Sequence, residues 1–225
     1  SELIDEYVNK PVYFCEPLST ALAFNCVDPK TGLPGLPRGI IIEVGGSHGN
    51  GKTMWAEHFI KNILDADPTN LVAVVFFEPM NMLRMVKVFG EERMQRILRL
   101  ERSSSTDLIS AEEGLHKLLN FAATVPEVAC CVIDSIGAMP TSRELYDKDG
   151  NFKPLDVRAQ LGHRASVMTE FTNQWNALNP NTRPTLVGIN HMKTPIDTGD
   201  ATVAQLKANR IGYTLHYESP GGEGW

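Results

Sequence analysis

Long apolar runs are missing from this chain. The purest, Leu71 to Phe77, is far shorter than the roughly 20 residues that span a membrane, so no membrane partner is expected. Cysteine is scarce as well: Cys15, Cys26, Cys130 and Cys131 contain no C-x-x-C pair, which excludes a redox or zinc motif of that kind. Cys130 and Cys131 sit side by side in an apolar run, where a strand would turn them to opposite faces as buried, reduced thiols. The opening residues, Ser1 to Glu6, are acidic and lead into no apolar stretch, so they read as lacking a secretory signal. A soluble, cytoplasmic protein is expected. There is also no basic excess: 21 Lys+Arg stand against 27 Asp+Glu, a net charge of −6. That argues against a surface coated for nucleic acid. The charge is nevertheless uneven, with 12 Lys+Arg and 18 Asp+Glu in residues 1–140 (12 − 18 = −6) but 9 and 7 in residues 141–215 (9 − 7 = +2). Internal repeats and low-complexity tracts are absent, and 225 residues suit one α/β domain with a buried core.

What is present is a loop for phosphate. Gly46-Ser47-His48-Gly49-Asn50-Gly51-Lys52-Thr53 fits G-x-x-x-x-G-K-[ST] and follows the apolar run Ile40-Ile41-Ile42-Glu43-Val44. Glycines at these positions let successive backbone N–H groups turn inward onto phosphate oxygens, and the positive end of the next helix adds to the field. Lys52 is then expected to reach the β- and γ-phosphates of ATP, and Thr53 to offer its hydroxyl to a bridging Mg2+.

Short β-rich runs alternate with helical stretches, the pattern of a mostly parallel sheet with crossover helices on both faces. Strands are predicted at Gly39 to Val44, Leu71 to Phe77, Ile97 to Glu101, Ala129 to Ile133 and Thr185 to Ile189. Helices are predicted at about Lys52 to Ala66, Ala111 to Ala123 and Val157 to Leu178, the second started by a capping box, Ser110-x-x-Glu113. About Thr141 to Asp156 and Thr194 to Trp225 read as long surface loops. Within the second, Ile211 to Tyr217 alternates as a half-buried strand would.

Three strand ends carry chemistry. Asp134 closes Cys131-Val132-Ile133 and is placed to hold Mg2+ or its water. Glu78 closes the Leu71 to Phe77 run; if that strand neighbours the loop-bearing one, its carboxylate can take the proton of the water attacking the γ-phosphate. His191 ends Leu186 to Asn190 and can donate a hydrogen bond to the γ-phosphate.

The ordered set Gly32 to Gly39, the phosphate loop, Phe76-Phe77-Glu78-Pro79, Val132-Ile133-Asp134-Ser135 and Ile189-Asn190-His191-Met192-Lys193 resembles the ATPase core of RecA-type homologous-recombination proteins. Asn190-His191 is similar to the phage recombinases of the UvsX type, which would put the protein in the cytoplasm of a bacterial host. The likeness covers about Leu18 to Gly222, leaving 1–17 as a short N-terminal segment and 18–225 as a core that reads as truncated at both ends. It implies that Lys52 and Thr53 bind phosphate and magnesium, Glu78 activates water, Asp134 supports the metal and His191 stands where the family has a γ-phosphate-sensing glutamine. It also implies that the loops at about 141–156 and 194–222 hold single-stranded DNA inside a helical filament, with double-stranded DNA joining during strand exchange. Arg143, Lys148, Lys153, Arg158, Lys193, Lys207 and Arg210 fall in or beside those loops, where phosphate contacts belong. The activity implied is DNA-stimulated ATP hydrolysis. A RecA-fold ring helicase shares the same ATP site, and a nucleotide-binding module without turnover is the alternative from another class.

Overall fold

The computed structural model describes residues 12–13, 32, 35–78, 81–100, 109–153 and 163–191. In chain order they form β1 (Val12–Tyr13), β2 (Leu36–Pro37), β3 (Ile41–Gly46), α1 (Lys52–Ala66), β4 (Leu71–Phe76), α2 (Met82–Met94), β5 (Ile97–Leu100), α3 (Ala111–Thr124), β6 (Val128–Asp134), a 3-10 turn (Ile136–Ala138), α4 (Ser142–Leu145), α5 (His163–Asn176) and β7 (Thr185–His191). The short strands β1 and β2 pair antiparallel. The other five make one sheet in the order β3-β7-β6-β4-β5, with every neighbouring pair parallel. The protein is therefore α/β with a parallel five-stranded sheet.

The near-continuous apolar runs of β4 and β6 are explained by what covers them. Val72, Val74 and Phe76 point to a core shared with Trp55, Phe59, Ile60, Ile63 and Leu64 of α1 and with Met85 and Phe89 of α2. Ala73, Val75 and Phe77 point the other way, to Leu115 and Leu118 of α3 and to Met168, Phe171 and Trp175 of α5. Both faces of the sheet are dry, so period-2 alternation of polarity has no reason to appear. Each fully buried Phe, Ile or Leu contributes roughly 1.5–3 kcal/mol by leaving water. Cys130 faces the first core and Cys131 the second, as adjacent strand residues should. Both are free thiols, and burial pushes both well above the ordinary thiol range. The alternation slips only at Ala129 and Cys130, which share the α1 face where the β4–β6 register shifts beside Leu71 and Val72.

Helix α1 has the predicted bounds. It ends at Asp67, which is extended and is followed by Pro68, a residue that pushes its predecessor out of the helical region. Helix α3 starts as expected, with the Ser110 hydroxyl accepting from Glu113 N at 3.2 Å. The reciprocal arm of the box does not form, because the Glu113 carboxylate pairs with Lys117 at 2.6 Å one turn on. Helix α2 was not individually foreseen; Asn81 caps it by accepting from Arg84 N, and Gly90 at φ 73° kinks it. Strand β3 starts and ends two residues later than predicted, since Gly39 at φ 81° belongs to the preceding turn. Of the long helix predicted at Val157 to Leu178, residues 163–176 form α5, and Ala177 and Leu178 already lie in the turn that follows.

The first long loop requires a correction. Residues 141–153 are not a structureless excursion. Thr141 and Glu144 form a reciprocal capping box that starts α4, and a bridge pairs Tyr146 with Phe152 around a turn in which Asp147 Oδ1 accepts from the amides of Asp149 and Asn151. The turn needs Gly150, at φ 81°. Glu112 of α3 ties this piece down by accepting from Ser142 N at 2.8 Å and Ser142 Oγ at 2.7 Å, with His163 Nε2 at 3.3 Å. Burial opposes the Glu112 charge, but those hydrogen bonds outweigh it and hold the carboxyl below the usual range. The predicted strand at Ile211 to Tyr217 and the second loop lie outside the described residues.

Candidate functional site

The loop Ser47 to Gly51 leaves the carboxyl end of β3 and enters α1. Two of its glycines have left-handed backbones, Gly49 at φ 81° and Gly51 at φ 77°, so a side chain there is strained although there is space for a Cβ. Gly51 is the N-cap and offers no side-chain acceptor, and the first turn of α1 carries no acidic residue. The helix therefore begins with free amide donors and an uncompensated positive end, a suitable place for an anion. The Lys52 ammonium folds back and donates to the Ser47 carbonyl at 2.7 Å, closing over the loop.

Asp134 ends β6, opposite Phe76 of β4 and Ile189 of β7. Its Oδ2 accepts from Thr53 Oγ1 at 3.3 Å, which joins the first turn of α1 to a strand end 81 positions away. Asp134 is buried at 8 % exposure. Burial, together with the negative charges of Glu78 and Glu57, pushes its carboxyl up to about 6 against the smaller opposing pull of Thr53 and Lys52. A buried acid short of positive charge beside a hydroxyl is a hard-oxygen donor set. Mg2+, which takes one or two protein oxygens and completes its shell with water and phosphate, fits this pair. Among the described residues no group of three or more His, Cys, Asp or Glu could hold a metal by itself.

Glu78 needs a second correction. Its strand does not neighbour the loop-bearing one, because β7 and β6 stand between β3 and β4. The carboxylate still reaches the centre of the edge. Glu78 Oε1 lies 3.0 Å from His191 Nε2 and accepts from the Ser135 hydroxyl. His191 in turn stacks on His48 of the phosphate loop, with ring centroids 5.8 Å apart and planes 28° from parallel. Thus Glu78, Ser135, His191 and His48 form one chain of contacts from β4 back to the loop. Beside it, Asn190 Nδ2 donates to Glu43 Oε1 at 2.7 Å, locking β7 to β3.

A cavity of about 230 Å3 opens between α1, α2 and the sheet, with Thr53, Asp134, Glu78 and Arg84 among its polar lining. Arg84 is paired with Glu57 at 2.6 Å. Of the residues predicted to meet DNA, Arg143 and Lys148 are exposed on the ordered 141–153 segment and Lys153 is half-buried there. Lys153 also closes the segment by donating its amide to the Leu145 carbonyl at 2.8 Å. Arg158, Lys193, Lys207 and Arg210 lie outside the described residues. Sequence reasoning missed Ser135, the His48–His191 stack and the Glu57–Arg84 pair. His48 lies inside the motif and could have been singled out; a serine after a strand carries no spacing signal. Among the described residues no helix is long and apolar enough to cross a membrane.

No protein-family model and no curated protein matches the sequence.

Proposed function

We propose that this chain is the ATPase core of a RecA-type recombinase of the phage kind, binding ATP and Mg2+ and hydrolysing ATP to ADP and phosphate. The observation that carries the reading is the convergence of Thr53, Asp134, Glu78 and His191, from a helix start and three strand ends, on one edge beside the phosphate loop. In this reading the loop amides and Lys52 hold the β- and γ-phosphates. Thr53 and Asp134 would hold Mg2+, which would supply positive charge against the charge that develops on the phosphates. Water attacks the γ-phosphorus, the bond from phosphorus to the β,γ-bridging oxygen breaks towards ADP, and Glu78 takes the proton released by the attacking water. His191 donates to the γ-phosphate in this scheme; donation through Nε2 would take that nitrogen off Glu78 and free the acid as hydrolysis becomes possible.

The partners belong to the same proposal. Single-stranded DNA is held along the 141–156 and 194–222 segments, with Arg143 and Lys148 available for phosphate contacts, and copies of the chain assemble into a filament that admits double-stranded DNA. Such an enzyme works in the cytoplasm of a bacterial host. The test is phosphate release from ATP with and without single-stranded DNA over a range of salt concentration. Stimulation by DNA is the expected result, and equal turnover in both arms overturns the DNA-dependent reading.

A further inference from the structure

The two oxygens of Glu78 are treated very differently by their surroundings. Oε1 takes both contacts, from the Ser135 hydroxyl and from His191 Nε2. Oε2 accepts no hydrogen bond from the described residues, although the side chain is 39 % exposed. The donors differ too. Ser135 is wholly buried, follows the metal-side acid Asp134 directly and so is held by the end of β6, whereas the His191 side chain is 25 % exposed. A carboxylate gripped on one oxygen by a fixed donor can swing little, and its second oxygen, on a side chain 39 % exposed, is left without a protein donor among the described residues.

We propose that Ser135 is a positioning residue for Glu78: its hydroxyl, donating to Oε1, holds the carboxylate so that Oε2 is the oxygen presented to the attacking water. The assignment rests on the ATPase reading for its catalytic consequence, but not for its geometry. When His191 turns to the γ-phosphate, Ser135 is the contact that stays, so Glu78 keeps its aim during the step in which it accepts the proton. Asp134 and Glu78, one binding metal and one moving a proton, are thereby set by consecutive residues of a single strand end. A hydrogen bond to a charged group is worth enough to matter here, on the order of tenfold in rate when it is lost from an orienting contact.

The test uses Ser135→Ala and Ser135→Cys in the full chain, with circular dichroism to check that both fold. Single-turnover and steady-state ATP hydrolysis should show Ser135→Ala lowering kcat about tenfold with KM and nucleotide affinity unchanged, and Ser135→Cys, which keeps a weak donor, falling between. A second readout needs no nucleotide: the ring nitrogen signals of His191 in 15N NMR report its contact with Glu78, and they should move in Ser135→Ala and move less in Ser135→Cys. An unchanged kcat in an active enzyme, or unchanged His191 signals, overturns the role of Ser135. Absence of hydrolysis in the wild-type chain would instead strike the ATPase reading, and the NMR comparison would still decide whether Ser135 sets Glu78.

Discussion

Glu78 Oε1 and His191 Nε2 meet at 3.0 Å across 113 residues of sequence, and the contact exists because β6 and β7 bring their carboxyl ends to the same edge as β4. The pair links the acid proposed to accept a proton with a ring that also touches the Ser47–Gly51 loop through His48.

Replacing Glu78 with Gln keeps the shape of the contact but removes the proton acceptor. Nucleotide binding should persist while hydrolysis falls by a factor of about 10² or more. Equilibrium binding of a fluorescent nucleotide beside single-turnover hydrolysis separates the two effects; undiminished turnover would remove Glu78 from the mechanism.

Asp134 carries a stability cost that can be measured. Its carboxyl has an ordinary value of 3.8 and titrates at about 6 in the folded protein, so between those values the folded state binds the proton more tightly than the unfolded chain. Stability from this group is therefore greatest below about pH 4 and declines as pH rises to about 6, by roughly 3 kcal/mol in all. Asp134→Asn, which can still accept from Thr53, should raise the melting temperature at pH 7 and have little effect at pH 4. The same variant should lose magnesium-dependent nucleotide binding. A lower melting temperature at pH 7 would show that the acid is not under the strain its surroundings imply.

Lys52→Ala removes the ammonium that spans the loop at Ser47. Lys52 is buried at 7 % exposure, so circular dichroism must accompany the variant, and in the folded variant affinity for ATP should drop by at least tenfold through loss of a charge-assisted phosphate contact. Isothermal titration with a non-hydrolysable analogue provides the check, with retained affinity counting against phosphate binding at this loop.

Gly114 sits on the sheet-facing side of α3, where an added Cβ would stand 2.8 Å from Val75 Cγ2 and 3.0 Å from Phe77 Cζ. Alanine is the better helix former by up to about 1 kcal/mol, but Val75 is buried and β-branched and cannot yield. Overpacking should win, and Gly114→Ala should destabilise the protein by roughly 1–2 kcal/mol in a urea titration. A stabilised variant would mean that α3 can move off the sheet at little cost.

Local signals carried the sequence reading a long way, and non-local ones limited it. Helix α1 could be bounded to the residue because its motif, its apolar spacing and Pro68 all act within the segment. The facing of Cys130 and Cys131 followed from strand geometry alone. The order of strands did not, since sequence holds no statement of which parallel neighbours pair; the neighbouring of the Glu78 strand and the loop-bearing one could therefore only be a condition, which the strand order does not meet, while the place of Glu78 at a strand end was right. Thr141-Ser142-Arg143-Glu144 carries the same S/T-x-x-E signal that was used at Ser110, but it lies among charged and glycine-rich residues and its helix is a single turn fastened by Glu112 of α3. That fastening is tertiary and leaves no mark in the local pattern. Ser135 is similar: its partner, Glu78, is 57 residues away.

The back-to-back sulfurs of β6 offer a way to watch this molecule breathe. Cys130 belongs to the layer under α1 and α2, and Cys131 to the layer under α3 and α5, with neither thiol able to ionise while enclosed. An alkylating reagent can reach one only when α1 and α2 lift and the other only when α3 and α5 do, so the modification rates of two adjacent residues, separated by peptide mass spectrometry, are independent timers for the two sides of one sheet.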